Sequence, residues 1–273
     1  MFIIGGREDK HETRAILRAL ATQLGTRKLL IATLASEFPE ERWREYQQIF
    51  RTLGVRQSEH LNLEQRREKT QDPPARDLPR DIGGVFFTGG DQLRITTKLG
   101  GTRLSEEIDQ LFQHGGIVAG TSAGASALGE MMIVGTKPKE VYHMGDPFQM
   151  TPGLGLIKNV IIDQHFSERG RIRRLLAAVA QNPRLLGIGI DEDTAIVVKG
   201  TEYFEVLGSG AVYLVDAREL NYTNISEASL GRTLSVFGIK LHVLSQGDRF
   251  DFYTHTPLQK VAEEPLPHRE EES

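Results

Sequence analysis

One short run carries the residue types and the spacing of a serine nucleophile. Residues 120–124 have the pattern Gly-x-Ser-x-Gly with Ser122 at its centre, after an apolar run at residues 116–119 and before a helix-forming run at residues 125–128. A serine on a sharp strand-to-helix turn presents its hydroxyl above the sheet, and small flanking residues let the backbone turn without a clash. The pattern predicts a covalent hydrolase with Ser122 as nucleophile. The alternative is an ordinary glycine-rich turn, since short motifs also occur by chance.

A serine nucleophile needs a histidine base, and its context favours His165 among the 8 histidines of the chain. An apolar run at residues 160–162 is followed by Asp163, Gln164 and then His165. The carboxyl ends of parallel strands are where sites form. A lone histidine is more often structural, as at His114, where a helix end favours it through the helix dipole. We therefore predict His165 as the base.

The acid that orients this base is expected among Asp191, Glu192 and Asp193, which follow a buried strand predicted at residues 186–190. Any of the three acids can reach His165, and the spacing does not choose among them. An acidic turn between two strands is the alternative explanation, and such turns are common.

A basic cluster follows the predicted base, at Arg169, Arg171, Arg173 and Arg174. Arg171 and Arg174 share one face if a helix begins here. Guanidinium groups bind carboxylates in a two-pronged geometry that lysine does not reproduce. A solvated, charged helix start is the alternative, but cations are unfavourable at a helix N-terminus. The cluster therefore favours an anionic substrate.

A second glycine turn, at residues 89–92, follows another predicted strand. The backbone amide of Gly90 can approach a ligand closely, and with the amide of Ala123 it would form an oxyanion hole. The alternative is a plain turn in which Asp91 caps a helix that begins at Gln92.

The elements that must position these residues follow from the hydrophobic pattern. Strands are predicted at residues 2–4, 28–33, 85–87 and 117–119, and helices at residues 12–24, 39–53 and 104–114. Later strands, joined by short polar turns, are predicted at residues 195–198, 203–206, 211–215, 239–244 and 250–253. The first half predicts a mostly parallel sheet with helices on both faces, and the second half an antiparallel extension of it.

Composition limits the classes of function. The 273 residues fit a single α/β domain at residues 1–256 and a disordered acidic tail at residues 257–273, with a charged loop or poor helix at residues 64–80. A net charge of −4 gives no reason to expect nucleic acid as a partner. The absence of cysteine excludes disulfides, thiolate metal sites and a cysteine nucleophile. No signal peptide or membrane span is indicated, so we expect a cytoplasmic protein.

Four stretches in this order resemble the cyanophycinase family of serine exopeptidases, which are of the peptidase E type and belong to the class I glutamine-amidotransferase-like superfamily. They are residues 89–92, 120–125, 163–171 and 189–195, and the resemblance extends over most of the chain. It implies a central, mainly parallel sheet with helices on both sides and a homodimer. It also implies that the reaction needs neither a metal ion nor an organic cofactor.

The resemblance also implies a substrate and assigns roles. The substrate is cyanophycin, a poly-aspartate backbone whose β-carboxyls carry arginine, and the product is the β-aspartyl-arginine dipeptide. Ser122 becomes the nucleophile, His165 the base and Glu192 the orienting acid, so similarity and not spacing chooses among the three acids. The family's substrate-contact positions fall on Gln92, Asp163, Gln164, Arg169, Arg171 and Arg174.

Other functions compete with this interpretation. The order Ser122, His165, Glu192 differs from the serine–acid–histidine order of α/β-hydrolases, which argues against a lipase or esterase. A dipeptidase for aspartyl peptides is the nearest alternative, and the arginine cluster favours the polymer over it. A phosphate or nucleotide binder is disfavoured because no G-x-x-x-x-G-K-[ST] or G-x-G-x-x-G motif is present. The complete triad argues against an inactive scaffold.

Overall fold

The computed structural model describes residues 1–63, 78–79, 81–134, 149–200, 202–226 and 233–258. Helices in this part of the chain are α1 (Ala15–Leu24), α2 (Pro39–Thr52), α3 (Gln92–Leu99), α4 (Arg103–Gln113), α5 (Ala123–Leu128) and α6 (Ile172–Gln181). The strands are β1 (Phe2–Ile4), β2 (Lys28–Ala32), β3 (Ser58–Leu61), β4 (Ile82–Phe87), β5 (Ile117–Thr121), β6 (Gly129–Val134), β7 (Gln149–Pro152), β8 (Ile157–Gln164), β9 (Leu186–Ile190), β10 (Thr194–Lys199), β11 (Tyr203–Gly208), β12 (Val212–Asp216), β13 (Tyr222–Thr223), β14 (Val236–Phe237), β15 (Lys240–Leu244), β16 (Arg249–Asp251) and β17 (Thr256–Leu258).

Local signals in the sequence start several of the helices. The Asp91 carboxylate accepts the backbone N–H of Leu93 at 2.9 Å and so caps α3. Thr102 caps α4 in the same way through its hydroxyl. Pro39 opens α2, where its missing N–H costs nothing. Helices α2 and α4 begin within one residue of where the sequence predicts them, and α3 begins at Gln92, as the alternative explanation of residues 89–92 has it.

A nine-stranded sheet has the strand order β17-β16-β11-β10-β1-β5-β4-β2-β3. The five strands β1, β5, β4, β2 and β3 each pair in parallel with the next strand in this order. All neighbours from β17 to β1 pair antiparallel. The predicted fold class, a parallel sheet with helices and an antiparallel extension, is confirmed. Strand β3 lies at the parallel edge and was not predicted, because its Ser-Glu-His-Leu sequence has no apolar run.

A second sheet of six strands has the order β15-β12-β9-β8-β6-β7. Strands β6, β8 and β9 pair in parallel, and β7, β12 and β15 pair antiparallel at the two sides. The prediction that β12 and β15 extend the first sheet is therefore wrong. A strand's pattern of apolar residues shows which face is buried but does not name the partner strand.

Helix α5 lies between the two sheets, where it packs against both β5 and β8. One cluster of buried side chains, which includes Val118, Ala125 and Ile162, joins the sheets around it. Helices α1 and α2 cover the other face of the nine-stranded sheet, and α6 covers the outer face of the six-stranded one. The turn that enters α5 is thus held by the cores of both sheets.

The C-terminal boundary differs from the prediction. Pro257 and Leu258, placed by the sequence in the acidic tail, pair with β16 as part of β17. An edge strand accommodates proline because it needs no ladder donor on its outer side. The rest of the predicted tail, residues 259–273, and most of the predicted loop at residues 64–80 lie outside the described residues. Among the described helices, none combines the length and apolar content needed to cross a membrane.

Candidate active site

Ser122 occupies a sharp turn between β5 and α5. Its backbone has φ 54° and ψ −116°, a region that residues with a side chain rarely adopt. Two backbone hydrogen bonds hold it there: the Ser122 N–H donates to the Ile4 carbonyl at 3.0 Å, and the Ser122 carbonyl accepts from Ser126 N–H at 3.1 Å. The strained turn presents the Ser122 hydroxyl at the edge of the sheet.

His165 comes directly after β8, also at positive φ (46°). Its Nε2 lies 2.9 Å from Ser122 Oγ, and its Nδ1 lies 2.7 Å from Oε1 of Glu192. In the neutral tautomer with the proton on Nδ1, the ring donates to Glu192 and accepts the Ser122 O–H through Nε2. The three side chains form one continuous hydrogen-bonded row.

Each of the three neighbouring acids has a different set of partners. Glu192 contacts His165, and its second oxygen lies 3.3 Å from the Arg7 guanidinium. Asp191 accepts backbone N–H groups on both oxygens, from Ser167 and from Ala211. Asp193 accepts the N–H of Asp9 and the hydroxyl of Ser209. The geometry therefore brings Glu192, and neither neighbour, to the imidazole.

The turn after β1 connects the three segments that carry this row. Carbonyls of three consecutive residues accept one backbone N–H each: Ile4 from Ser122 at 3.0 Å, Gly5 from His165 at 2.8 Å, and Gly6 from Asp193 at 2.9 Å. A Cβ on Gly6, whose φ is 103°, would lie 2.3 Å from Cε1 of His165. The glycine turn thus packs directly against the imidazole and fixes its position.

Burial lowers the pKa of His165 below its usual value of 6.5. The hydrogen bond that the ring donates to Glu192 raises this pKa, and the positive charges of Arg169 and Arg171 lower it. Because the net shift is downward, the imidazole is neutral at pH 7 and its Nε2 is available to accept a proton. A neutral imidazole is the form that a general base requires.

The glycine turn at residues 89–92 lies against the serine. A Cβ on Gly89 would be 3.6 Å from Ser122 Oγ, and Gly90 lines the same cavity as the serine. Ala123 is the first residue of α5, so its N–H has no acceptor within the helix. Both residues predicted for an oxyanion hole therefore flank the serine, and their role stays a prediction.

Most of the predicted substrate contacts are occupied by partners in the chain itself. Asp163 is 1% exposed and binds Arg174 through a bidentate contact, with Nε at 2.6 Å. Arg171 donates to the same carboxylate at 3.2 Å and also to the Gln164 carbonyl. This arrangement makes Asp163 the counter-ion of two half-buried arginines.

The other predicted contacts are distributed around the row. Gln164 Oε1 lies 3.5 Å from Ser122 Oγ. Gln92 donates its side-chain amide to the Ile133 carbonyl at 2.8 Å. The Arg169 side chain is exposed, and its charge acts on His165.

A cavity of about 530 Å³ opens beside Ser122 and His165, and among the described residues its wall includes none of the six predicted substrate contacts. The residues that line it include Glu8, Lys10, Tyr46 and Thr121. The sequence analysis missed these residues. The available signal was an acidic residue, Glu8, two positions after the glycine turn of the first strand, at the carboxyl edge of the sheet.

Comparisons with known proteins agree on the kind of protein. Residues 1–206 match the model of a protein family described as Peptidase family S51. A cyanophycinase of Trichormus variabilis is 41% identical over 264 residues, which cover 96% of this chain and 88% of the relative. A cyanophycinase of Synechococcus elongatus is 37% identical over 266 residues, with 96% and 82% covered. The crystal structure of a peptidase from an acI-B1 Actinobacterium has a TM-score of 0.65 at 24% identity, covers 92% of this chain and 96% of that one, and shows the shared fold.

The close packing of Gly6 predicts the effect of Gly6→Ala. The added methyl group displaces the imidazole, and we expect the rate at which a fluorophosphonate probe labels Ser122 to fall about 100-fold, as expected for a misplaced catalytic group. Gly54→Ala is the control, because Gly54 has a similar φ of 94° with nothing within 4 Å of its Cβ. Equal labelling rates for the two variants would contradict the role of the turn.

The burial of Asp163 predicts a loss of stability in Asp163→Asn. Removing the charge leaves Arg171 and Arg174 without their shared counter-ion, and we expect the free energy of unfolding to fall by roughly 3 to 5 kcal/mol in urea denaturation. Asp109→Asn, at an exposed position of α4, should change it by less than about 0.5 kcal/mol. A variant at position 163 as stable as the wild type would show that Asp163 has no structural role.

The charge of Arg169 predicts a shift in the titration of His165. In Arg169→Gln one positive charge is removed, so protonated imidazole is less disfavoured and the pKa of His165 should rise. NMR titration of the ring protons measures this directly. Arg173→Gln, also at an exposed arginine of this segment, should leave the pKa in place. A fall or no change in Arg169→Gln contradicts the electrostatic account.

Proposed function

The chain belongs to peptidase family S51, a family of serine-type peptidases, and from this premise we propose that it hydrolyses cyanophycin to β-aspartyl-arginine dipeptides through an acyl-enzyme on Ser122. The observation that carries the proposal is the hydrogen-bonded row from Ser122 through His165 to Glu192. Such a row is what a serine peptidase needs to activate its hydroxyl. The names of the relatives supply the substrate.

In the first half of the reaction, Ser122 Oγ attacks the carbonyl carbon of a backbone amide while His165 Nε2 takes its proton. Glu192 stabilises the imidazolium that forms, since its carboxylate is already bound to Nδ1. The backbone N–H groups of Gly90 and Ala123 are the donors proposed for the oxyanion. One such donor contributes about 3 kcal/mol to the transition state.

His165 then gives its proton to the leaving amine as the C–N bond breaks, and this step completes the acyl-enzyme on Ser122. Water then attacks the ester with His165 again as base, and the hydroxyl of Ser122 is restored. Every proton that moves passes through the neutral imidazole whose pKa is lowered by burial. No other proton-transfer group is needed to complete the cycle.

The residues around Asp163 have an indirect role in this proposal. Asp163 holds Arg171 and Arg174 beside β8, and Arg171 in turn donates to the carbonyl of Gln164, next to His165. Arg169 and Arg173 are the exposed members of the basic cluster, and Arg169, whose charge acts on His165, is the one proposed to meet an anionic group of the substrate. The cluster thus supports the base and contributes positive charge near it.

We also propose a homodimer and a cytoplasmic location. Strand β15 lies at the edge of the six-stranded sheet and exposes Leu241 and Val243, which a second copy would cover. A chain without cysteine forms no disulfide and needs no oxidising compartment.

The function is tested by incubating the purified protein with insoluble cyanophycin and identifying the soluble products by mass. We expect β-aspartyl-arginine from the wild type, and in Ser122→Ala a loss of at least about 10⁴-fold in its rate of release. Ser126→Ala makes the same chemical change one helical turn further on and should retain most of the activity.

Assay of small Asp-X dipeptides in parallel separates the polymer hydrolase from an aspartyl dipeptidase. Faster turnover of these dipeptides than of cyanophycin would contradict the proposed substrate. Retained activity in a folded Ser122→Ala protein would contradict the mechanism.

A further inference from the structure

The cavity beside Ser122 contains one buried acid that the proposed mechanism does not use. Glu8 is 3% exposed and lines this cavity together with Ser122 and His165. It lies two residues after Gly6, the last glycine of the turn whose carbonyls hold the three segments of the site. A carboxylate so close to the reacting serine and so deeply buried calls for a physical explanation.

Both oxygens of Glu8 are held by neutral donors. The Tyr46 hydroxyl donates to Oε1 at 2.5 Å, and the Thr121 hydroxyl donates to Oε2 at 2.6 Å. Thr121 is the residue directly before the nucleophile, so this contact fixes the carboxylate next to Ser122. A carboxylate oxygen can accept more than one hydrogen bond, so each oxygen keeps accepting capacity.

The charged neighbours of Glu8 in the cavity wall are paired with other acids. Lys10 lies 2.8 Å from Glu45, and Arg42 lies 2.6 Å from the same carboxylate. Arg7 pairs with Glu192 at 3.3 Å. Among the described residues, no ion pair to Glu8 is found. Buried carboxylates in proteins are normally paired with a cation, whereas the contacts of the Glu8 oxygens within the described part of the chain are with two hydroxyls.

We propose that Glu8 binds the guanidinium of a substrate arginine inside this cavity and so determines specificity for arginine-bearing units. The inference rests on the proposed function, because cyanophycin carries one arginine on each aspartate. A guanidinium presents parallel N–H groups that match a carboxylate, and the pair formed out of water is stronger than one on the surface. The Tyr46 and Thr121 hydroxyls preorganise the carboxylate before the substrate arrives.

The test compares two trimers, (β-Asp-Arg)3 and (β-Asp-citrulline)3, on the wild type and on Glu8→Gln. Citrulline replaces the guanidinium with a neutral urea of nearly the same shape. We expect Glu8→Gln to reduce the ratio of kcat/KM for the arginine trimer to that for the citrulline trimer by roughly 10- to 100-fold, mainly through KM. An unchanged ratio would overturn the proposal.

Glu37→Gln is the matched control, since it makes the same chemical change at an exposed acid of the same cavity wall. If Glu8 acted only by holding the structure together, Glu8→Gln would slow the two trimers in the same proportion and leave their ratio unchanged. We expect the ratio in Glu37→Gln to stay within about threefold of the wild type.

A second measurement needs no change at Glu8. In a structure of Ser122→Ala with (β-Asp-Arg)3 bound, a guanidinium nitrogen should lie within hydrogen-bond distance of Glu8. Guanidiniums placed elsewhere would overturn the proposal even if Glu8→Gln does not fold. If the wild type cleaves neither trimer nor cyanophycin, the proposed function fails; if it cleaves them and the ratio is unchanged, only the role of Glu8 fails.

Discussion

Three backbone carbonyls in the turn after β1 hold the whole site together. Ile4, Gly5 and Gly6 each accept one N–H, from Ser122, His165 and Asp193 respectively. These donors belong to three distant parts of the chain, and His165 follows a strand of a different sheet from the one that precedes Ser122. Backbone hydrogen bonds have little tolerance in length and direction, so the turn sets the separation of the hydroxyl, the imidazole and the neighbouring carboxylate. Side chains larger than hydrogen do not fit here, since a Cβ on Gly5 would lie 2.0 Å from the Asp191 carbonyl oxygen.

The same turn helps to explain how the protein maintains a strained backbone at three residues and a neutral imidazole at His165. Ser122, His165 and Asp193 all have positive φ, a conformation that costs roughly 1 to 3 kcal/mol at a residue with a side chain and persists only where the surroundings impose it. Each of them donates its backbone N–H to a carbonyl of this turn. Burial of the imidazole then lowers its pKa, and Glu192 limits the fall. A base that is neutral at pH 7 and already aligned with the hydroxyl follows from packing and from two charge interactions of opposite sign.

Much of this could be predicted from the sequence, and the failures have physical reasons. Ser122 and His165 could be selected from the sequence because a nucleophile turn and a strand-end histidine have local signatures, and the structure places their side chains 2.9 Å apart. Glu192 could not be selected by spacing, because the side chains of three adjacent acids diverge in ways that spacing does not encode. The division into two sheets is missed because apolar periodicity does not specify which strands pair. Glu8 is missed because its significance lies in what it contacts: two hydroxyls from residues far along the chain, and a cavity shared with the serine.

The central claim is that Ser122 carries the acyl group during turnover. Rapid quenching of the wild type with (β-Asp-Arg)3, followed by intact-protein mass measurement and peptide mapping, tests it most directly. The account predicts a transient mass increase equal to an acyl group, located on Ser122 and absent in His165→Ala on the same timescale. Turnover with no adduct under any quench condition, or an adduct on another residue, would contradict it.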